Sequence, residues 1–508
     1  MRLSEVFIVG RASRLPSNDL RSQARRPRYT QKVQKQTAFG INRFSGCFSS
    51  SVLPVSSVVN SSGLASSGGP LLEEGIAFQK KGQLRRAEEI YRQILQGDPN
   101  NADALHLLGT IAFRAGKPAD AISLIHKAIQ KEPRNPHFYN NCGPALRELG
   151  RFDEAVVCYQ ECLRLDPMHP GAWYNLWKTL ADAARPEEAL AAYNRQIDLY
   201  PDHLSARWNR SLTMLLLGDY AAGWSEYEIR WEATPVKRRK FSRPTWNGEP
   251  IAEKKLLIHA EQGLGDTIQM LRYASLLEKL GGRVILECQP ELVNLARTVR
   301  GIAEVIPQGA VLPDFDFEIP AMSLPCAFGT RLESIPADIP YIGVVPEKLA
   351  YWKSRIEKLP PTRKVGMVWA GGVKNPANTK RSMSLADFAP FQKIPDMEWI
   401  SLQKGPTAEQ ASVAPFPIHD WTSEIQDFSD TAALVSVLDG VVTVDTAVAH
   451  LAGALGKPVW IMITHVPDFR WLMDRNDSPW YPSARLVRQR SRDSWKEAIE
   501  TLAAELSA

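Results

Sequence analysis

The chain has 508 residues, a formal charge of +5 and an ordinary globular composition, 44% hydrophobic and 23% charged. That length suits two or three domains, and no apolar run reaches the roughly 18 charge-free residues that a membrane-spanning helix needs. The net charge is uneven. Residues 1–69 hold ten Lys/Arg against Glu5 and Asp19, a local +8, so the remainder carries −3 and offers nucleic acid no basic face.

The Arg- and Ser-rich segment 1–67 cannot bury enough apolar surface to fold, so a disordered leader is expected. A transit peptide, or sequence upstream of the true start, has the same composition. Beyond it, Gly82, Gly116 and Gly150 recur every 34 residues, and Gly218 follows across the step at Ala184. Ala87, Ala121, Ala155 and Ala189 keep the same period, as do Pro99, Pro133, Pro167, Pro201 and Pro235. This period predicts a helix–turn–helix solenoid over 68–237. Glycine supplies the turn, Gly109 and Gly143 let paired helices approach, and each proline stops a second helix. The pattern resembles the tetratricopeptide repeat. It implies either a rigid spacer or a groove for a protein or peptide partner. In the fifth unit Arg207, Ser211 and Gly223 break the pattern while Trp208, Trp224 and Trp231 cluster, which predicts a cap docked on the next domain.

The six cysteines show no metal-ligand spacing, and Cys158 and Cys162 read as core filler. A reducing compartment, the cytoplasm, is expected.

A linker at 238–253 leads to alternating strands and helices, which predict parallel sheets covered on both faces. In 254–345, strands are expected at 256–260, 283–288 and 303–306, with a helix from Thr267 to about Leu280 after the Gly263-Leu264-Gly265-Asp266 turn. In 346–508, a strand from Val365 enters the Gly371-Gly372 loop, and others are expected at 397–403, 440–444 and 459–462. Two such units create a cleft at the carboxyl ends of the strands. The strand ending at Val444 passes straight into a helix, which Asp445 or Thr446 can cap, and its free first-turn N–H groups suit a phosphate. The helix dipole supplies about 0.3–1 kcal/mol, so a cation is needed; Lys380 and Arg381 can provide it, or can form a solvated loop. Gln403 and Lys404 are expected to end a strand facing the cleft.

The Gly-Leu-Gly-Asp turn, the Lys380-Arg381 pair and Asp445-Thr446-Ala447-Val448-Ala449-His450 together resemble GT-B glycosyltransferases of the ADP-heptose:lipopolysaccharide heptosyltransferase family (family nine), over about 254–490. The resemblance implies an all-α tetratricopeptide solenoid followed by an α/β GT-B pair of Rossmann-like domains, with a nucleotide-sugar donor and no metal cofactor. It implies Asp266 as the general base, although the same residue can cap its helix. It also implies a donor site built from Gly265, Gly371, Lys380, Arg381, Gln403, Lys404, Asp445, Thr446, Ala447 and His450, although His450 can equally be an interior histidine. The family continues Lys-Arg with Trp-Pro, whereas this chain has Ser382-Met383. Asp314-Phe315-Asp316 has the form of a metal-binding pair from the other major glycosyltransferase fold, but it falls where the resemblance is weak. The expected activity is sugar transfer to a protein hydroxyl recruited by the repeats. The alternatives are an inactive scaffold or a lipopolysaccharide-core transferase.

Overall fold

The computed structural model describes residues 69–372, 378–492 and 494–507. The leader expected over 1–67 and Cys47 lie outside the described residues. Five antiparallel helix pairs come first: α1 (Gly69–Lys80) with α2 (Leu84–Gly97), α3 (Ala102–Arg114) with α4 (Pro118–Lys131), α5 (Pro136–Glu148) with α6 (Phe152–Leu165), α7 (Pro170–Asp182) with α8 (Pro186–Leu199), and α9 (Leu204–Leu216) with the short α10 (Tyr220–Tyr227).

The in-phase residues act as expected. Pro99, Pro133, Pro167 and Pro201 each lie two residues beyond a second helix, where a missing N–H costs nothing. A Cβ on Gly109 would lie 2.7 Å from Ile125 Cγ1. A further series at the same period went unread in the sequence. Asn101, Asn135, His169 and His203 cap α3, α5, α7 and α9, accepting backbone N–H groups at 3.0–3.2 Å through Oδ1 or Nδ1.

The turn glycines have φ between +72° and +85°, and Ala184 holds the same place at φ +56°. A Cβ in the left-handed region costs roughly 1–2 kcal/mol, partly offset in an Ala→Gly change by the extra freedom of the unfolded chain. Ala184→Gly is therefore expected to stabilise the protein by about 0.5–1 kcal/mol. A rise in the urea midpoint would show it, and a fall would contradict it.

Two parallel sheets follow. The first has β1 (Lys255–His259), β2 (Arg283–Cys288), β3 (Ile302–Pro307) and β4 (Phe317–Pro320) in the order β3-β2-β1-β4. The second has β5 (Arg363–Val368), β6 (Met397–Ser401), β7 (Ile418–Asp420), β8 (Gly440–Val444), β9 (Val459–Ile463) and β10 (Ala484–Arg488) in the order β10-β9-β8-β5-β6-β7. β4, β7 and β10 were not expected. β4 and β7 are short, with four and three residues, and β7 and β10 carry charged or polar residues that hide the apolar run of a buried strand. The expected helix from Thr267 starts earlier, at Leu264, and breaks into Leu264–Met270, a 3-10 turn at Leu271–Tyr273, and Ala274–Lys279.

The fifth helix pair wedges against both lobes, as its tryptophans predicted. Trp224 is buried among Tyr220, Tyr227 and Phe469. The Tyr220 hydroxyl accepts from Trp480 Nε1 at 2.9 Å, and the Tyr227 hydroxyl accepts from Gln262 Nε2 at 2.8 Å. The linker also packs: Trp246 is 1% exposed, and its backbone N–H donates to the Glu318 carbonyl of β4 at 2.9 Å.

Candidate active site

β1, β5 and β8 all end at one cleft of about 560 Å³. From the first lobe come Glu261 and the Gln262–Asp266 turn; from the second, Gly371, Asn378, Arg381, Asp445, Thr446, Ala447, His450 and the Asp468–Arg470 turn. Trp208, Leu212, Tyr227 and Arg230 form a wall from the end of the repeat array. Asp266 and Asp445 therefore share one crevice.

The two lobes meet at helix ends. Helix Leu264–Met270 packs against helix Ala447–Ala454. A Cβ on Gly265 would lie 2.7 Å from His450 Cδ2 and 3.4 Å from the Ala447 Cα. Glycine is needed here to bring these helices together. His450 is 5% exposed; its Nδ1 lies 2.9 Å from the Tyr481 hydroxyl, and its ring stacks on Trp471 at 5.4 Å. Burial, with the charge of Arg470, holds it well below the usual histidine range, so the ring is neutral. It is an interior histidine whose edge also lines the cleft.

Neither proposed cap of helix Ala447–Ala454 operates. Thr446 is the N-cap residue but makes no side-chain cap bond; its Oγ1 lies 3.1 Å from Thr443 Oγ1. Asp445 instead accepts from Arg381 Nη1 at 3.0 Å. Arg381 is oriented in turn by Asn378 Oδ1, 2.7 Å from its Nε. Burial raises the Asp445 carboxyl, while Arg381 opposes the shift. The helix end thus faces the cleft uncapped by side chains, with a guanidinium beside it.

Asp266 has two structural partners. Its Oδ2 accepts from the Gly263 N–H at 2.8 Å, which caps the start of its own helix, and its Oδ1 pairs with Arg470. Arg470 also reaches Asp468 Oδ1 and Gln269 Oε1, each at 2.8 Å, so it ties the second lobe to the first.

Three expected donor contacts lie elsewhere. β6 ends at Ser401, and the Gln403 side chain turns back to hold the loop after β5. It accepts from the Trp369 and Ala370 N–H groups at 3.1 and 2.9 Å and donates to the Ala370 carbonyl at 3.1 Å. Lys404 Nζ donates to the Thr422 and Ile425 carbonyls at 2.7 and 3.0 Å. Both are occupied by backbone groups that need partners. Lys380 is exposed outside the cleft, yet its charge is among those pushing down the amine of Lys178 on α7. Burial is the largest cause there, bringing that amine to about 8. Ser382, where the resemblance expects Trp, accepts from the Gly371 N–H at 3.0 Å. Asp316 accepts from the Lys255 N–H at 2.8 Å and thereby closes the start of β1.

Sequence reasoning missed Arg470, Asp468, Arg230 and Glu261. The glutamate had a readable signal, being an acid at the carboxyl end of a strand just before a glycine turn. Arg470 had none, because its partner Asp266 is 204 residues away.

Family models agree with this division. One described as "Tetratricopeptide repeat" matches residues 78–142, and one described as "TPR repeat" matches 143–181. One described as "Glycosyltransferase family 9 (heptosyltransferase)" matches 426–483, the span holding helix Ala447–Ala454 and Arg470. Protein FlbA of Caulobacter vibrioides is 26% identical over 323 residues, covering 58% of this chain and 54% of that protein, so the chain spans about half the length of the curated relative it matches. Among solved structures, MamA is 23% identical at a TM-score of 0.30 and covers 32% of this chain and 89% of its own. PilF of Pseudomonas aeruginosa is 18% identical at 0.32, covering 42% and 85%. A structure titled "YrrB: a TPR protein with an unusual peptide-binding site" is 19% identical at 0.30, covering 33% and 87%.

Proposed function

We propose that this chain, tetratricopeptide repeats joined to a glycosyltransferase family 9 segment, moves a sugar from a nucleoside diphosphate donor to a protein hydroxyl presented by the repeats. The observation that carries this reading is the convergence, on one cleft, of an uncapped helix end, Arg381 and first-lobe carboxylates. The diphosphate lies against the Ala447 end of the helix, and Arg381 exchanges part of its bond to Asp445 for the phosphate. As the sugar–phosphate bond breaks, charge grows on the diphosphate, and these fixed donors stabilise it without reorganising. In this reading the protein supplies the cations itself, and Gly265 and His450 shape the floor. The resemblance points to Asp266 as the base, and the cleft holds a second first-lobe carboxylate, Glu261.

The acceptor side rests on the array. Its last pair forms a wall of the cleft, and Lys178 on α7 lies close enough to feel the charge of Lys380. Polar rungs join successive first helices, with His106 Nε2 and Asn141 Nδ2 2.8 Å apart and Asn175 donating to Asn140 Oδ1 at 3.0 Å. Such a surface suits a peptide backbone with unpaired amides. Among the described residues no helix is long and apolar enough to cross a membrane, and the five described cysteines are free thiols. A cytoplasmic setting fits the thiols.

A thermal-shift panel of UDP-, GDP-, ADP- and dTDP-sugars tests the donor. The matching nucleotide at 100 times its dissociation constant is expected to stabilise the protein by about 2.7 kcal/mol, and Arg381→Met is expected to abolish the shift. If no nucleotide shifts the wild type, the transferase reading fails and a scaffold remains.

A further inference from the structure

The reaction needs a group that takes a proton from the attacking hydroxyl, and the cleft holds two first-lobe carboxylates. Asp266 is the poorer candidate, since Gly263 occupies one oxygen and Arg470 the other. Glu261 differs. It follows β1 by two residues, and its side chain is 7% exposed. Its Oε1 accepts from Arg230 Nη2 at 3.2 Å and from the Met322 N–H at 3.3 Å. Its Oε2 is buried and has no hydrogen-bond partner. Glu261 also stands between the cleft and a second cavity of about 380 Å³, lining both.

A buried carboxylate oxygen without a donor is costly, and an acceptor hydroxyl bound in the cleft can supply the missing bond. Arg230 prevents the carboxylate from turning away. Its side chain is 2% exposed, it stacks over Trp231 at 4.2 Å, and it is held by Glu228 and Ser323, each at 2.6 Å.

We propose that Glu261, through Oε2, accepts the proton of the acceptor hydroxyl, and that Asp266 serves instead to hold the two lobes together through Arg470. This rests on the sugar-transfer reading above. The acceptor oxygen forms its bond to the anomeric carbon as the bond from that carbon to the diphosphate oxygen breaks. The electron pair leaves with the diphosphate beside Arg381, and the proton passes to Oε2. Burial pushes the Glu261 carboxyl up to about 7, against the pull of Arg230 and the Met322 N–H and with the push of Asp266. A base that titrates near the working pH is the effective kind. Arg230 opens the short helix Arg230–Ala233 that follows α10, so the end of the repeat array orients the base.

The test follows release of nucleoside diphosphate from the sugar nucleotide that shifts the wild type, with water as acceptor, across pH 5–9 (roughly the span that brackets a neutral base). The wild-type rate is expected to rise through about pH 7. Glu261→Gln is expected to lose about 10²–10⁴-fold in rate, along with that rise, while its nucleotide-induced thermal shift persists. Glu261→Asp keeps a carboxylate and is expected to retain the rise at a lower rate, which separates chemistry from misfolding. Asp266→Asn is expected to keep the rise. An E261Q protein with the wild-type rate or profile overturns the assignment while leaving sugar transfer standing. A wild type that binds no nucleotide, or binds one and never releases diphosphate, overturns both.

Discussion

Arg470→Met is expected to destabilise the protein by about 3–5 kcal/mol, the cost of removing one partner from a buried ion cluster. The Arg470 side chain is 9% exposed and is the shared partner of Asp266, Asp468 and Gln269. Methionine fills similar volume but removes the cation that Asp266 and Asp468 share. Arg470 also helps keep the Asp445 carboxyl down against burial, so its loss is expected to raise further the carboxyl that pairs with Arg381. Nucleotide binding should therefore weaken as well. Urea unfolding of R470M, D266N and the double variant checks the claim. The double variant should lose less than the sum of the singles, because the two residues are in contact. An R470M loss below about 1 kcal/mol would show that the lobes are held by other contacts.

The second large effect is a pH dependence of stability that Glu261→Gln should remove. In the folded chain the Glu261 carboxyl is raised from 4.5 to about 7. Between those values the native state keeps a proton that the unfolded state has released. Stability therefore falls as pH rises through this window, and the loss is complete above pH 7. The size of the shift corresponds to about 3 kcal/mol. Glutamine does not titrate, so the difference between wild type and E261Q should change by about that amount between pH 4.5 and 7 and then level off. A difference that stays flat across the window would mean that Glu261 is ionised throughout. Titrations of His450 and the other groups are shared by both proteins and largely cancel.

The repeat half was legible because its physics is local. A positive φ at Gly82, Gly116, Gly150 and Gly218 and the stops at Pro99 through Pro201 act within one helix pair, so period alone reveals them. Even the departure at Ala184 is visible as a missing glycine. The cap residues Asn101, Asn135, His169 and His203 were equally local, but they were hidden because two chemistries share one task. In the second half, strand ends and the turns after them were readable, which is why Asp266, Arg381, Asp445 and Thr446 could be named before their geometry was known. β7 and β10 were not, since their polar residues break the run of apolar side chains.

What lay beyond reading was how each polar group is partnered. Gln403 and Lys404 sit near the ends of strands that face the cleft, yet backbone carbonyls and amides claim their side chains. Glu261 and Asp266 are five residues apart in one turn, with the same functional group. Sequence alone placed one of these carboxylates, Asp266, at a cleft beside a helical solenoid. Only tertiary structure decided which of them is engaged by Arg470 and which keeps a buried, unpartnered oxygen, because that choice depends on an arginine 204 residues downstream and another from the last repeat. Hydrogen bonding is short-ranged and satisfied pair by pair, so it becomes definite when distant segments are packed together.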